Sequence, residues 1–256
     1  MNKLPIGVAP YTIRDAVEMD YAGSLVKISQ LGYKGIEIGP PPDGMTVEEQ
    51  KSILSRCGLE VIGTHAPFNH IDFNVHELLD YVEDVGGHYL TISMKYHSKD
   101  DVLNKAQKMN RVGEMCRQRN IQFLYHNHNW EFESFDGEYI LDILLRETDP
   151  ELVKAELDTY WIKRGGEDPV QYMNQVGNRC PLLHIKDMEA GEGNFFAEIG
   201  EGILDFCEIT KTAERIGVKW LIVEQDECRR DPFESLQISY ANLIKMGLVE
   251  APGTQK

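Results

Sequence analysis

The sequence predicts an α/β protein built as a single (β/α)8 TIM barrel over residues 1–256. Three observations lead there. Short apolar runs rich in β-branched residues alternate with segments of helical periodicity, eight times along the chain. No linker, low-complexity tract or heptad repeat breaks the series. The connections have helix length, which favours parallel neighbouring strands joined by right-handed crossovers. A doubly wound open sheet is the competing arrangement. It is opposed by the lack of a Gly-x-Gly-x-x-Gly turn after the first strand and of a phosphate-binding Gly-Lys-Ser/Thr loop.

In chain order, the first apolar run lies within residues 3–13. Leu25, Val26, Ile28 and Leu31 give the first helix its spacing over 21–31, and Gly32 ends it. Residues 35–39 form the second strand. Thr46 is a good N-cap with an acidic first turn behind it, and Gly58 stops that helix. Further strands follow over 59–65, 88–95, 121–128, 152–158, 180–186 and 218–225. The helices between and after them cover 74–85, 99–118, 137–146, 169–176, 204–216 and 232–246. The tail, residues 251–256, reads as frayed. One strand-to-helix loop is long, residues 187–203, with Gly191, Gly193, Gly200 and Gly202. Loops of that length in compact domains are often functional.

Composition narrows the function. Apolar residues at 42% and charged residues at 27% fit an ordinary globular protein. No apolar run approaches the roughly 20 residues that span a bilayer, and the N-terminus lacks the apolar core of a signal segment, so a cytoplasmic protein is expected. The formal charge of −16 opposes nucleic acid and anionic membranes as partners and favours a small-molecule one. Five scattered cysteines without a Cys-x-x-Cys pair read as reduced thiols.

In a barrel, chemistry gathers where the strands end. Those ends read Glu37, His65, Lys95, His126 with His128, Asp158, His184 with Lys186, and Glu224 with Asp226; the first strand offers Tyr11. Side chains on a strand alternate faces, so His126 and His128 point the same way. A set of His, Asp and Glu converging from neighbouring strands has the composition of a divalent metal site with acid-base groups. His126, Asp158, His184 and Glu224, one from each of strands five to eight, form the expected ligand set. Its mixed nitrogen and oxygen donors suit one Mn²⁺, Co²⁺, Zn²⁺ or Fe²⁺ ion better than Ca²⁺. Taken singly, each of the four is as readily a hydrogen-bonding structural residue. Glu37 and His65 fit either sugar hydroxyls or salt bridges at the barrel mouth. Lys95 and Lys186 fit an oxyanion or a nearby carboxylate, Asp226 stands beside Glu224 as a further substrate contact, and Trp161 fits a pocket wall or the core. Arg229 and Arg230 precede a helix start and read best as a solvated pair.

Several stretches together resemble the sugar phosphate isomerase/epimerase family of the xylose isomerase-like, AP endonuclease 2-type barrels. They are Tyr125-His-Asn-His-Asn-Trp-Glu-Phe132, Glu156-Leu-Asp-Thr-Tyr-Trp161, Leu183-His-Ile-Lys-Asp187, Ile199-Gly-Glu-Gly-Ile-Leu-Asp-Phe206 and Val223-Glu-Gln-Asp226. The resemblance implies one catalytic divalent ion on His126, Asp158, His184 and Glu224. It also shows a departure. The keto-sugar epimerases of this superfamily usually carry Glu at the position of His126 and pair it with the Glu of strand eight as acid-base groups. With His126 there, His128 becomes the second base, matching a histidine near the metal in the dehydratase branch. The endonuclease IV-like branch, with three zinc ions, has further ligands where this chain carries Trp161 and Asn194-Phe-Phe196, which argues against a nuclease.

The expected function is a metal-dependent isomerase or epimerase acting on a keto-sugar or related polyol. Glu224 and His128 would move a proton next to a carbonyl, through an enediolate stabilised by the ion. An inosose dehydratase-like or keto-glycoside-cleaving lyase is the alternative, and a non-catalytic sugar-binding barrel the third reading. Barrels of this kind often pair through helices, so a homo-oligomer is possible, although no interface stripe stands out.

Overall fold

The structure, a computed structural model, describes residues 3–249; the tail expected to fray lies outside the described residues. Eight strands close one barrel: β1 (Ile6–Val8), β2 (Gly35–Glu37), β3 (Glu60–His65), β4 (Tyr89–Ile92), β5 (Gln122–His126), β6 (Val153–Asp158), β7 (Leu182–Ile185) and β8 (Trp220–Val223). Each is parallel to both neighbours, and β1 pairs with β8 to complete the ring. This is the TIM barrel that the alternating pattern predicts.

Ten helices accompany the strands among the described residues: α1 (Arg14–Met19), α2 (Tyr21–Leu31), α3 (Val47–Cys57), α4 (Val75–Val85), α5 (Lys99–Gln118), α6 (Ile140–Glu147), α7 (Thr159–Arg164), α8 (Pro169–Val176), α9 (Phe206–Ile216) and α10 (Pro232–Lys245). Thr46 opens α3 through a full capping box with Glu49. None of the helices is long and apolar enough to cross a membrane.

The strands are shorter than their apolar runs. β1 stops at Val8, because Pro10 has no N–H for the ladder and its ring fixes a helical φ; a 3₁₀ turn (Pro10–Ile13) and α1 replace the expected extension. α7 is also unanticipated. Six residues carry too little periodicity to read, and it starts only because the Asp158 carboxylate accepts the Trp161 N–H at 3.0 Å.

Inside the ring, Ala9, Ile62, Leu124, Leu182 and Ile222 form a separate apolar cluster. Members of non-adjacent strands touch only within the barrel, so this cluster is its interior plug. Side chains recur on one face every two residues. The next inward positions towards the mouth are therefore His126 after Leu124, His184 after Leu182 and Glu224 after Ile222. One more step gives His128, Lys186 and Asp226.

The long loop 187–203 is pinned rather than free. Its ends pair as a two-stranded ribbon, Asp187–Met188 with Phe196–Ala197. The buried Asp187 carboxylate accepts from the backbone N–H groups of Met188, Gly200, Gly202 and Leu204 at 2.8–3.1 Å. Gly202 permits this approach, since a Cβ there would lie 2.3 Å from Asp187 Oδ1. Arg229 and Arg230 also serve the loop. Both remain exposed to solvent, as the sequence leads one to expect, and they also meet the loop: Arg229 lies over the Phe195 ring and pairs with Glu189 at 2.9 Å, and Arg230 pairs with Glu198 at 3.3 Å. Asp187→Ala strands several N–H groups at once. It is expected to lower stability by about 2–3 kcal/mol in urea unfolding and to make loop 187–203 the first site cut by limited proteolysis.

Candidate metal centre

The parallel register sets the site. His126 lies beside Glu156 as a Cα partner, and Asp158 beside His184. One donor atom each from His126, Asp158, His184 and Glu224 lie within 4.8 Å of one another, and all four residues are buried. His184 Nδ1 is 3.0 Å from Glu224 Oε2, and His126 Nε2 is 3.9 Å from Asp158 Oδ2. A second set overlaps it through His184: Glu37, His65, Glu156 and His184. There His184 Nε2 meets Glu37 Oε2 at 2.8 Å, and His65 Nε2 meets Glu37 Oε2 at 3.1 Å and Glu156 Oε2 at 3.3 Å.

So many carboxylates without water need positive charge nearby. Lys186 supplies it. Its side chain is 1% exposed, and Nζ lies 3.0 Å from Asp158 Oδ2, 2.5 Å from Glu224 Oε2 and 2.7 Å from Asp226 Oδ2. Burial disfavours the ammonium, but Asp158, Glu224 and Asp226 outweigh it and hold Lys186 well above the usual lysine range. Burial likewise opposes charge on Glu224, yet Lys186 and His184 keep it well below the carboxylate range. Burial disfavours a charged His184 ring too, and Glu37 and Glu156 override that, raising it well above the usual imidazole range. His65, which shows 36% of its side chain to the cleft, is raised to about 10 by Glu37 and Glu156 against the effect of burial. For Asp158, burial wins over Lys186 and pushes the carboxyl up.

The donor set fits a divalent ion. Two imidazoles and two carboxylates converge from four strands, and Glu37 Oε1 and Asp158 Oδ2 are buried without an aligned hydrogen bond, Asp158 Oδ2 meeting only the Lys186 ammonium. Such orphaned acceptors are rare in interiors unless an ion, water or strained partner meets them.

The cleft above measures about 750 Å³. Its floor holds Glu37, His65, His126, His184, Lys186 and Glu224, while Tyr11, Pro40, Pro42 and Phe68 wall the mouth. His128 stacks on Trp130, with centroids 4.1 Å apart and planes 10° apart. Burial and the neighbouring His126 push the His128 ring far below the imidazole range, and its buried Nδ1 has no partner.

Comparison with known proteins fixes the family. The profile of the xylose isomerase-like TIM barrel matches residues 25–240. This chain belongs to the xylose isomerase-like TIM barrels. The crystal structure of a sugar phosphate isomerase/epimerase from Parabacteroides distasonis superposes with a TM-score of 0.83 at 25% identity, over 98% of this chain and 96% of that one. An inosose dehydratase from Lacticaseibacillus casei is 24% identical over 279 residues, covering 90% of this chain and 93% of the relative. The IOLI protein, with a zinc atom bound in its crystal structure, shares the fold at a TM-score of 0.72 and 12% identity, covering 94% of this chain and 97% of that one.

Within this xylose isomerase-like barrel, the residues singled out from sequence fall into three groups. His126, Asp158, His184 and Glu224 stand together, with Glu37, His65, Lys186 and Asp226 against them. His128 lines the cleft, and Trp161 lies beside it with rings 5.4 Å apart, outside the cleft lining. Lys95 lies elsewhere: it is exposed, outside the cleft lining, with Nζ 5.1 Å over the Trp130 ring. β4 ends at Ile92, so Lys95 leaves the barrel face that its strand seemed to give it. Glu156, Trp130 and Glu131 escaped the reading of strand ends. Glu156 sits two residues before Asp158 on the same face, a signal available in the sequence. Buried Glu131, its carboxyl pushed up to about 8 by burial, bonds Tyr125 Oη at 2.5 Å and accepts the His128 N–H at 2.8 Å, fixing the end of β5.

Lys186→Met removes the buried ammonium and leaves the carboxylates facing one another. Metal-free protein is expected to lose about 3–5 kcal/mol of stability. Added Mn²⁺ or Co²⁺ should then raise the melting temperature of the variant more than that of the parent, read by thermal unfolding.

Proposed function

We propose that this protein is a divalent-metal-dependent isomerase or epimerase that moves a proton next to a carbonyl on a small sugar-like substrate. The convergence of His126, Asp158, His184 and Glu224, three of which line the floor of the cleft while Asp158 lies buried against them, carries the reading. In it these four residues hold the ion. The likeness to the Parabacteroides distasonis isomerase/epimerase over nearly the whole chain supports it, as does the zinc of the IOLI protein.

A cation held there supplies Lewis acidity to a substrate carbonyl. The chain's own residues supply the rest. Glu224 Oε2, at the edge of the floor, takes the proton from the carbon next to the carbonyl. His128, whose buried Nδ1 has no protein partner, is the second acid-base group of this reading, and it takes up a proton only as negative charge developing on the substrate offsets the burial that disfavours its cation. Lys186, 2.5 Å from Glu224 Oε2, favours the unprotonated carboxylate that a base requires while lowering its proton affinity. His65 and Glu37 face hydroxyl groups of the substrate from β2 and β3, and Phe68 and Trp130 offer apolar faces to a sugar ring.

Dehydration is the second reading, favoured by two observations. His126 stands where the epimerases that this sequence resembles usually carry Glu, and the Lacticaseibacillus casei relative is an inosose dehydratase. Both reactions begin with loss of the same proton. Proton NMR in D₂O on a panel of keto-sugars and keto-polyols separates them. Deuterium entering next to the carbonyl, with isomer formation and an unchanged molecular formula, is the expected result; formation of an unsaturated product with release of water would establish the second reading instead. Glu224→Gln is expected to lower kcat by about 10²-fold or more, and chelation of the metal to abolish turnover until Mn²⁺, Co²⁺ or Zn²⁺ is restored.

A further inference from the structure

We infer that Glu156 is a positioning residue, the carboxylate that turns His126 and His184 so that their outward nitrogens face Asp158 and Glu224. The inference rests on the reading of His126, Asp158, His184 and Glu224 as metal ligands.

An imidazole has two nitrogens, and the one that ligates is set by what the other one bonds. Both rings show the same division. His126 presents Nδ1 to Glu156 Oε2 at 3.4 Å and Nε2 to Asp158 Oδ2 at 3.9 Å. His184 presents Nε2 to Glu156 Oε1 at 3.6 Å and Nδ1 to Glu224 Oε2 at 3.0 Å. The two oxygens of Glu156 are thus shared between the two rings, on the side away from the donor set.

Glu156 is suited to this and to little else. It is completely buried, and neither oxygen has an aligned hydrogen-bond partner. No lysine or arginine pairs with it among the described residues; its ionic neighbours are His65, His126 and His184. It sits in the middle of β6 with His126 as its Cα partner, so the ladder, not a loop, fixes its place. His184 has a second acceptor behind it, Glu37 Oε2 at 2.8 Å, whereas the inner nitrogen of His126 faces only Glu156, at 3.4 Å and without an aligned hydrogen bond. The dependence on Glu156 therefore falls mainly on His126. A carboxylate at position 126 would need no acceptor behind it. A histidine does, and Glu156 provides one at the adjacent position.

The test is cobalt binding by the full chain, measured by chelator competition and by the visible absorption of bound Co²⁺. Glu156→Gln keeps the volume but replaces one acceptor oxygen with a donor. It is expected to weaken Co²⁺ binding about 10–100-fold and to shift the cobalt absorption bands, while metal-free protein keeps its near-UV circular dichroism. In a His126→Glu background, which retains a ligand but has no ring to turn, the same exchange is expected to change affinity less than about threefold, a coupling read from the double-mutant cycle. Unchanged affinity and spectrum in Glu156→Gln would overturn the inference. So would an equal loss in both backgrounds, which marks a general structural role. If His65→Ala abolishes binding while Asp158→Asn leaves it intact, the ion lies among Glu37, His65, Glu156 and His184. That outcome overturns the ligand reading itself and makes Glu156 a ligand.

Discussion

Buried negative charge is the constraint on which the mouth of this barrel depends. Glu37, Glu156, Asp158 and Glu224 are all within the protein interior, and Asp226 adjoins them. An isolated carboxylate there is costly, and in an apolar setting it would take up a proton. Charged neighbours oppose that for Glu156 and Glu224, His184 and His65 lowering the first and Lys186 and His184 the second. Lys186, the one buried lysine or arginine among the described residues, reaches three of these acids. His65 and His184 compensate Glu37 and Glu156. A buried network of this kind contributes little net stability compared with an apolar core of equal volume. Its retention points to chemistry.

The geometry follows from the period of a strand. An apolar plug of Ile62, Leu124, Leu182 and Ile222 closes the barrel below, and each further step of two residues along β5, β7 and β8 adds one polar layer. The first layer carries His126, His184 and Glu224; the second carries His128, Lys186 and Asp226. Parallel registration then brings Glu156 beside His126 and Asp158 beside His184. Ladder hydrogen bonds hold these positions, so the donors are placed on rigid elements, which is what a preorganised site needs. The neighbouring loop is made firm in turn by Asp187 and its four backbone donors.

Much of this was legible in the sequence. Eight alternations of strand and helix specify the barrel, and an apolar run that turns ionisable marks each place where a strand reaches the mouth. Lys95 shows the weakness of that rule: the apolar run at 88–95 outlasts β4, which ends at Ile92, and the lysine turns out to solvent. Glu156 shows the opposite failure. It lies inside an apolar strand, where a lone charge has no evident purpose until His126 and His184 are seen around it. The pairing of Lys186 with Asp158, Glu224 and Asp226 depends on the order of strands around the ring, which a one-dimensional pattern does not contain. α1 and α7 were too short to show a period, and Trp130 became part of the cleft wall only through its stacking on His128.

Two overlapping sets of donors share His184, and the chemistry of the cleft depends on which of them holds the ion. X-ray diffraction from crystals of the cobalt-loaded protein, recorded at the cobalt absorption edge, addresses this most directly. One anomalous peak bounded by His126, Asp158, His184 and Glu224 is expected. A peak among Glu37, His65 and Glu156, or no peak in protein saturated with cobalt, would contradict it.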